Sequence, residues 1–138
     1  MASTVVFYDG VCGLCDRFVQ FLLRRDTHRR ILFAPLQGPL ARGVLGRRGL
    51  NPSDLDTMYA VADWQGPAEH VLARSRAVFH AIGELDGVWP RLARLGLRVP
   101  VPVADAGYRL VAKVRYRAFG QLERCPIPPP EWRDRFLD

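Results

Sequence analysis

The sequence predicts an α/β domain built on a mixed four-stranded sheet in the order β-α-β-α-β-β-α, followed by a C-terminal helical extension. Three observations carry this. A β-branched and aromatic run, Thr4 to Tyr8, is followed almost at once by an amphipathic stretch. A second short apolar run, Ile31 to Ala34, stands at the distance expected of a parallel crossover. Two further strand-sized runs, Thr57 to Val61 and His70 to Ala73, are joined by the turn-rich link Asp63-Trp64-Gln65-Gly66-Pro67, which suits a hairpin. At 138 residues the chain fits one domain, long enough to bury a core without staples.

Taken in order, Thr4 to Tyr8 reads as a buried strand that stops at the turn former Asp9-Gly10. From Leu14 to Arg25, the apolar residues Cys15, Phe18, Val19, Leu22 and Leu23 recur at three- and four-residue spacing. Polar residues fill the positions between, as on a helix with one buried face. Pro35 ends the second strand. Leu40 to Arg48 reads as a short helix stopped by Gly49, and Asn51-Pro52-Ser53-Asp54 as a turn or helix start. Ser75 is placed to cap a helix over Arg76 to Leu85 whose buried face is Ala77, Val78, Ala81, Ile82 and Leu85. Trp89-Pro90 opens a helix to Leu95, Pro100 and Pro102 break the chain, and Ala104 to Phe119 is again helical despite Gly107. The proline run from Cys125 to Pro130 excludes helix, and Glu131 to Leu137 is expected to make one or two last turns. Residues 1–88 therefore form the sheet-bearing unit, and residues 89–138 an extension packed on it.

The net charge of +6 is unevenly placed. Residues 1–88 hold ten arginines against nine acids, whereas residues 89–138 hold nine arginines and Lys113 against five. With nineteen of twenty cations being arginine, the basic tail reads first as a solvated face. Its alternative use is a basic helix around Arg109 to Arg117 that docks nucleic acid or membrane, although nucleic acid is not the expected partner. The most apolar late stretch, Val99 to Val111, is broken by Asp105, Arg109 and two prolines, so no membrane span is expected. The first residues lack a basic region followed by a long apolar one, and three cysteines do not make a disulfide framework. A cytoplasmic protein is expected, with no indication of its oligomeric state.

The chemistry concentrates in Cys12-Gly13-Leu14-Cys15, which follows a strand and heads a helix. There, unpaired backbone N–H groups and the positive end of the helix dipole stabilise a thiolate. Cys12 is expected at the exposed helix end and Cys15 one turn further in, shielded, so that Cys12 attacks a substrate disulfide and Cys15 resolves the mixed disulfide. Asp9, three residues before Cys12, has two readings: a proton acceptor for Cys15, or a turn residue bonding the N–H groups around Gly10 and Val11.

The run Tyr8-Asp9-Gly10-Val11-Cys12-Gly13-Leu14-Cys15 resembles the signature of the DCC family of thiol-disulfide oxidoreductases. The resemblance extends to Phe33-Ala34-Pro35-Leu36-Gln37, Arg74-Ser75-Arg76-Ala77, Tyr116-Arg117-Ala118-Phe119-Gly120 and Cys125-Pro126-Ile127-Pro128. It implies a thioredoxin-like fold and redox activity carried by Asp9, Cys12 and Cys15. No bound cofactor is implied; the partners would be a protein or low-molecular-weight thiol or disulfide, with glutathione or a thioredoxin-type protein as electron donor. Thioredoxin-like proteins usually place a cis-proline before the strand facing the dithiol, and the matching position near Thr57-Met58 has none.

That absence keeps open a metal or iron–sulfur module held through Cys12 and Cys15. Cys125 would supply a third thiol to such a site and His28, His70 or His80 a fourth ligand, but a zinc ribbon needs a second Cys-x-x-Cys knuckle, which the chain lacks. Cys125 reads rather as a buried structural thiol. A fainter likeness of Val5 to Gly10 to the opening of haloacid-dehalogenase-like phosphatases fails at Val11, where the second aspartate would stand.

Overall fold

In the computed structural model, which describes residues 4–53, 57–120 and 130–137, strand β1 (Thr4–Tyr8) lies inside a sheet ordered β2-β1-β3-β4. It pairs in parallel with β2 (Ile31–Pro35) and antiparallel with β3 (Tyr59–Ala62), and β3 pairs antiparallel with β4 (His70–Ala73). Because side chains alternate along a strand, Val6 and Tyr8 face one side of the sheet and Val5 and Phe7 the other. The first side is covered by α1 (Gly13–Arg25) and α3 (Ser75–Gly83), through Val19, Leu22, Leu23, Ala77 and Ala81. The second is covered by α2 (Pro39–Arg47), through Ala41, Val44 and Leu45. This is the thioredoxin-like arrangement that the element order predicts, with the two cysteines at the C-terminal end of β1.

Four local expectations are corrected. Ser75 does not cap α3: Arg74 is the cap residue, at φ 58°, and Ser75 is the first helical residue. Its hydroxyl donates instead to Asp105 of α5 (Val101–Phe119), a partner thirty residues away that no local pattern shows. Pro102 does not break the chain, because it falls in the first turn of α5, where its missing N–H has no intrahelical partner to lose. The third strand begins at Tyr59 rather than Thr57, and α4 (Trp89–Leu97) runs two residues past Leu95. At Asn51 the side-chain oxygen accepts the Ser53 N–H at 3.0 Å, closing a turn, while Asp54 lies outside the described residues, as does Cys125 with its prolines.

The C-terminal third is fastened back onto the sheet unit. The α4 helix packs on α3, and α5 packs on both α1 and α3. A 3-10 segment, Pro130–Arg135, brings Phe136 beside Phe33, and the Leu137 N–H donates to the Phe33 carbonyl at 2.9 Å. Beneath it Arg135 pairs with the wholly buried Asp26, which also accepts the Arg30 and Ile31 N–H groups, and donates from Nε to the Ile31 carbonyl at 2.9 Å. Removing the guanidinium leaves a buried carboxylate without its counter-charge. Arg135→Leu is therefore expected to cost about 3–5 kcal/mol of folding free energy in urea titration. A loss below ~1 kcal/mol would show that Asp26 needs no arginine.

Candidate active site

Cys12 stands at the N-cap of α1 with extended backbone, and its sulfur accepts the Cys15 N–H at 3.4 Å. The Cys12 sulfur is near enough to the Cys15 side chain to act on its ionisation. Burial first, then the neighbouring Cys12 sulfur, push the Cys15 thiol up to about 12. Cys15 thus keeps its proton, while Cys12 is the sulfur that stands at the helix N-terminus.

Exposure is the reverse of the sequence expectation: Cys12 is fully buried, whereas Cys15 is half-buried and lines a cavity. The end of α5 lies against the residue that follows Cys12. The Gly13 N–H donates to the Gly120 carbonyl at 3.0 Å, and a Cβ on Gly13 would lie 2.2 Å from the Phe119 carbonyl oxygen, so backbone closes over the head of α1. The Arg17 guanidinium over the Phe119 ring, 5.2 Å from its centroid, adds to the contact.

Asp9 is what holds α5 there. Its carboxylate is buried and accepts from four donors: the Val11 N–H at 3.1 Å, Gln37 Nε2 at 2.8 Å, Arg115 Nη2 at 3.1 Å, and the Tyr116 hydroxyl. Arg115 is itself buried, an unusual state for a cation that the ion pair explains. Burial and the bond to Asp9 raise Tyr116 to about 12, which keeps its phenol a neutral donor. Gln37 closes the cluster by accepting the Gly10 N–H at 3.0 Å. The turn-residue reading of Asp9 is thus present in the Val11 contact, but the dominant partners come from α5.

The cavity holds about 310 Å³ between α1, α3 and α5. Leu14, Phe18, Val78, Phe79 and Val111 make its wall apolar, with Cys15 set into it. Opposite lies Met58, whose N–H donates to the Tyr108 hydroxyl at 2.8 Å; every described peptide bond here is trans. Tyr108, Arg115 and Tyr116 are the residues that motif reading passed over as functional. Their signal is register, since positions 108, 112, 115 and 119 share one side of α5, so Arg115 falls out of the row formed by Arg109, Lys113 and Arg117.

The histidines do not join the thiols. His28 bonds Asp86 at 2.7 Å, His70 the Ala68 carbonyl at 2.8 Å, and His80 Thr4 at 3.0 Å. Among the described residues no three His, Cys, Asp or Glu side chains converge as a metal site would require. No helix among them is long and apolar enough to cross a membrane.

The coupling of the two sulfurs is measurable. In Cys12→Ala, which leaves neither charge nor hydrogen-bonding group in place of the sulfur, the influence of Cys12 on Cys15 disappears while burial remains, so its ionisation should move down from about 12 yet stay above the ordinary 9. Cys15-specific alkylation against pH, read by peptide mass, should show that downward move. An unmoved midpoint would mean that the sulfurs do not interact.

The model of the DCC1-like thiol-disulfide oxidoreductases matches residues 6–121. The chain is 37% identical over 135 residues to the uncharacterized protein YuxK of Bacillus subtilis (strain 168), covering 98% of this chain and 94% of that protein. It is 31% identical over 123 residues to the DCC family protein At1g52590, chloroplastic, of Arabidopsis thaliana, covering 89% of this chain and 69% of that one. Among solved structures none matches. The matched span runs from within β1 through the whole of α5, taking in Asp9, Cys12, Cys15 and Arg115, and the chain belongs to the DCC1-like thiol-disulfide oxidoreductase family.

Proposed function

We propose that the protein exchanges disulfides through Cys12 and Cys15, with Cys12 as attacking sulfur, Cys15 as resolving sulfur and Asp9 as a positioning residue. The observation that carries this reading is the paired sulfurs at a helix N-terminus, one accepting a backbone N–H and the other keeping a proton. Cys12 thiolate attacks one sulfur of a substrate disulfide; a Cys12–substrate S–S bond forms, the substrate S–S bond breaks, and the departing thiolate takes up a proton. Cys12 then carries no charge and accepts no proton, which removes two of the influences holding Cys15 protonated. Cys15 releases its proton to the substrate sulfur it displaces, attacks Cys12, and closes the Cys12–Cys15 disulfide. Two electrons have passed to the substrate, and an external thiol, glutathione or a thioredoxin-type protein, restores the dithiol.

Two routes compete, since Cys15 is the accessible sulfur and Cys12 the one at the helix N-terminus. Cys15, held near 12 by burial and by its neighbour, is almost wholly protonated at pH 7. In this reading Cys12 attacks after the end of α5 lifts from Gly13, which gives up the Gly13–Gly120 hydrogen bond and the Arg17–Phe119 contact while the Asp9 cluster stays in place.

The substrate of this reading carries an apolar group beside its disulfide, because the wall around Cys15 is apolar and the carboxylate and guanidinium at its edge are already paired with each other. Few cysteines and no disulfide framework suit a reducing compartment such as the cytoplasm.

Cys12→Ser should abolish reduction of a protein disulfide such as insulin, and Cys15→Ser should trap the substrate on Cys12. Turnover retained in Cys12→Ser, or trapping on Cys15 alone, refutes the assignment. Gly13→Ala puts a methyl group into the Phe119 carbonyl and must displace the end of α5. It should destabilise by about 1–3 kcal/mol while making Cys12 alkylate faster than in the unaltered chain. Unchanged alkylation would mean that this contact does not cover Cys12.

A further inference from the structure

We infer that the outer faces of α4 and α5 form a docking surface for an anionic membrane, a property independent of the dithiol chemistry. Of the twelve large apolar residues exposed among the described ones, eleven lie between Val88 and Phe119. They are ordered rather than scattered. On and beside α4, Val88, Leu92, Leu95 and Val99 follow each other at spacings of four, three and four, which makes a single row along a helix. On α5, Val103, Leu110 and Val114 repeat that row with Gly107 in its gap. Leu95, Val103 and Leu110 are 60%, 61% and 65% exposed, in a protein whose other large apolar side chains are mostly covered.

Each apolar row has a row of cations along one side: Arg91, Arg94 and Arg98 beside the first, Arg109, Lys113 and Arg117 beside the second. All six are exposed, and none forms an ion pair among the described residues. The sole acid between residues 88 and 120, Asp105, is turned inward and accepts from Ser75. An apolar stripe edged by unpaired cations is the pattern of a helix lying in the interface of a bilayer, its apolar row among the acyl chains and its cations at the headgroups.

The same charges decide between occupants. A second copy packed face to face would set six cations against six with no acid between them, which like-charge repulsion opposes. A nucleic acid would use the cations but leave the leucine and valine rows facing water. Only an anionic lipid surface engages both rows. It also brings the cavity beside Cys15 to the bilayer edge, since Val111 both lines that cavity and is 48% exposed next to the α5 row.

The test is co-sedimentation of the full chain with vesicles of phosphatidylcholine alone and of phosphatidylcholine mixed with phosphatidylglycerol. Binding is expected to the mixed vesicles only, weakening as salt rises. Leu95→Ser/Leu110→Ser and, separately, Arg94→Gln/Arg109→Gln/Lys113→Gln should each weaken it by at least about tenfold, and circular dichroism should show both folded because every altered side chain is exposed. Absence of binding to the mixed vesicles, equal binding to both kinds, or binding that survives either set of substitutions overturns the proposal. So does a lipid-free dimer in light scattering that the leucine changes abolish, which would give the face to a second copy. Tight binding of duplex DNA that the leucine changes leave intact would give the cations to phosphate.

Discussion

A single buried carboxylate organises the end of this molecule that carries Cys12 and Cys15. Asp9 follows β1 directly, in the turn that leads to the dithiol, and a charge so placed is tolerated only with a counter-charge and a full set of donors. Arg115 and Tyr116 supply them from a helix more than a hundred residues away in sequence. Satisfying Asp9 therefore draws α5 across the head of α1, and this position of α5 sets backbone against Gly13 and forms one wall of the cavity into which Cys15 faces. Asp26 and Arg135 repeat the device past the other end of α1, so each end of the helix is tied to the C-terminal third by a buried aspartate and arginine.

What was legible in the sequence is what short-range pattern encodes. The strand Thr4 to Tyr8, the apolar face of the helix after it and the hairpin before Ser75 rest on periods of two and 3.6 residues, and packing preserved them. Where the reading failed, the deciding contact was distant. Ser75 looks like a cap because serine caps helices locally, yet Asp105 offers its hydroxyl a stronger partner. Pro102 looks like a breaker because proline is hostile to helix interiors, yet one residue of register places it where helices accept it.

At the site, residue identity was legible and environment was not. The spacing of Cys12 and Cys15 and their place at a strand-to-helix junction point to a dithiol site, but that Cys12 is buried and Cys15 half-buried is a tertiary outcome no local pattern carries. Arg115 sits among six other cations of the same segment, and composition cannot tell the buried one from those that face water. Only its alignment with Tyr108 and Phe119 on the inner side of the helix separates it.

Gly13 also bears on how this dithiol can be adjusted. Of the two residues enclosed by the cysteines, one has backbone pressed against it on the side where any longer residue would grow. Leu14, the other enclosed residue, has its side chain in the wall beside Cys15, so of the two it is the one with room to differ. Under the proposed exchange, a different residue there would reshape the wall that an arriving molecule meets and the surroundings of the sulfurs in one step.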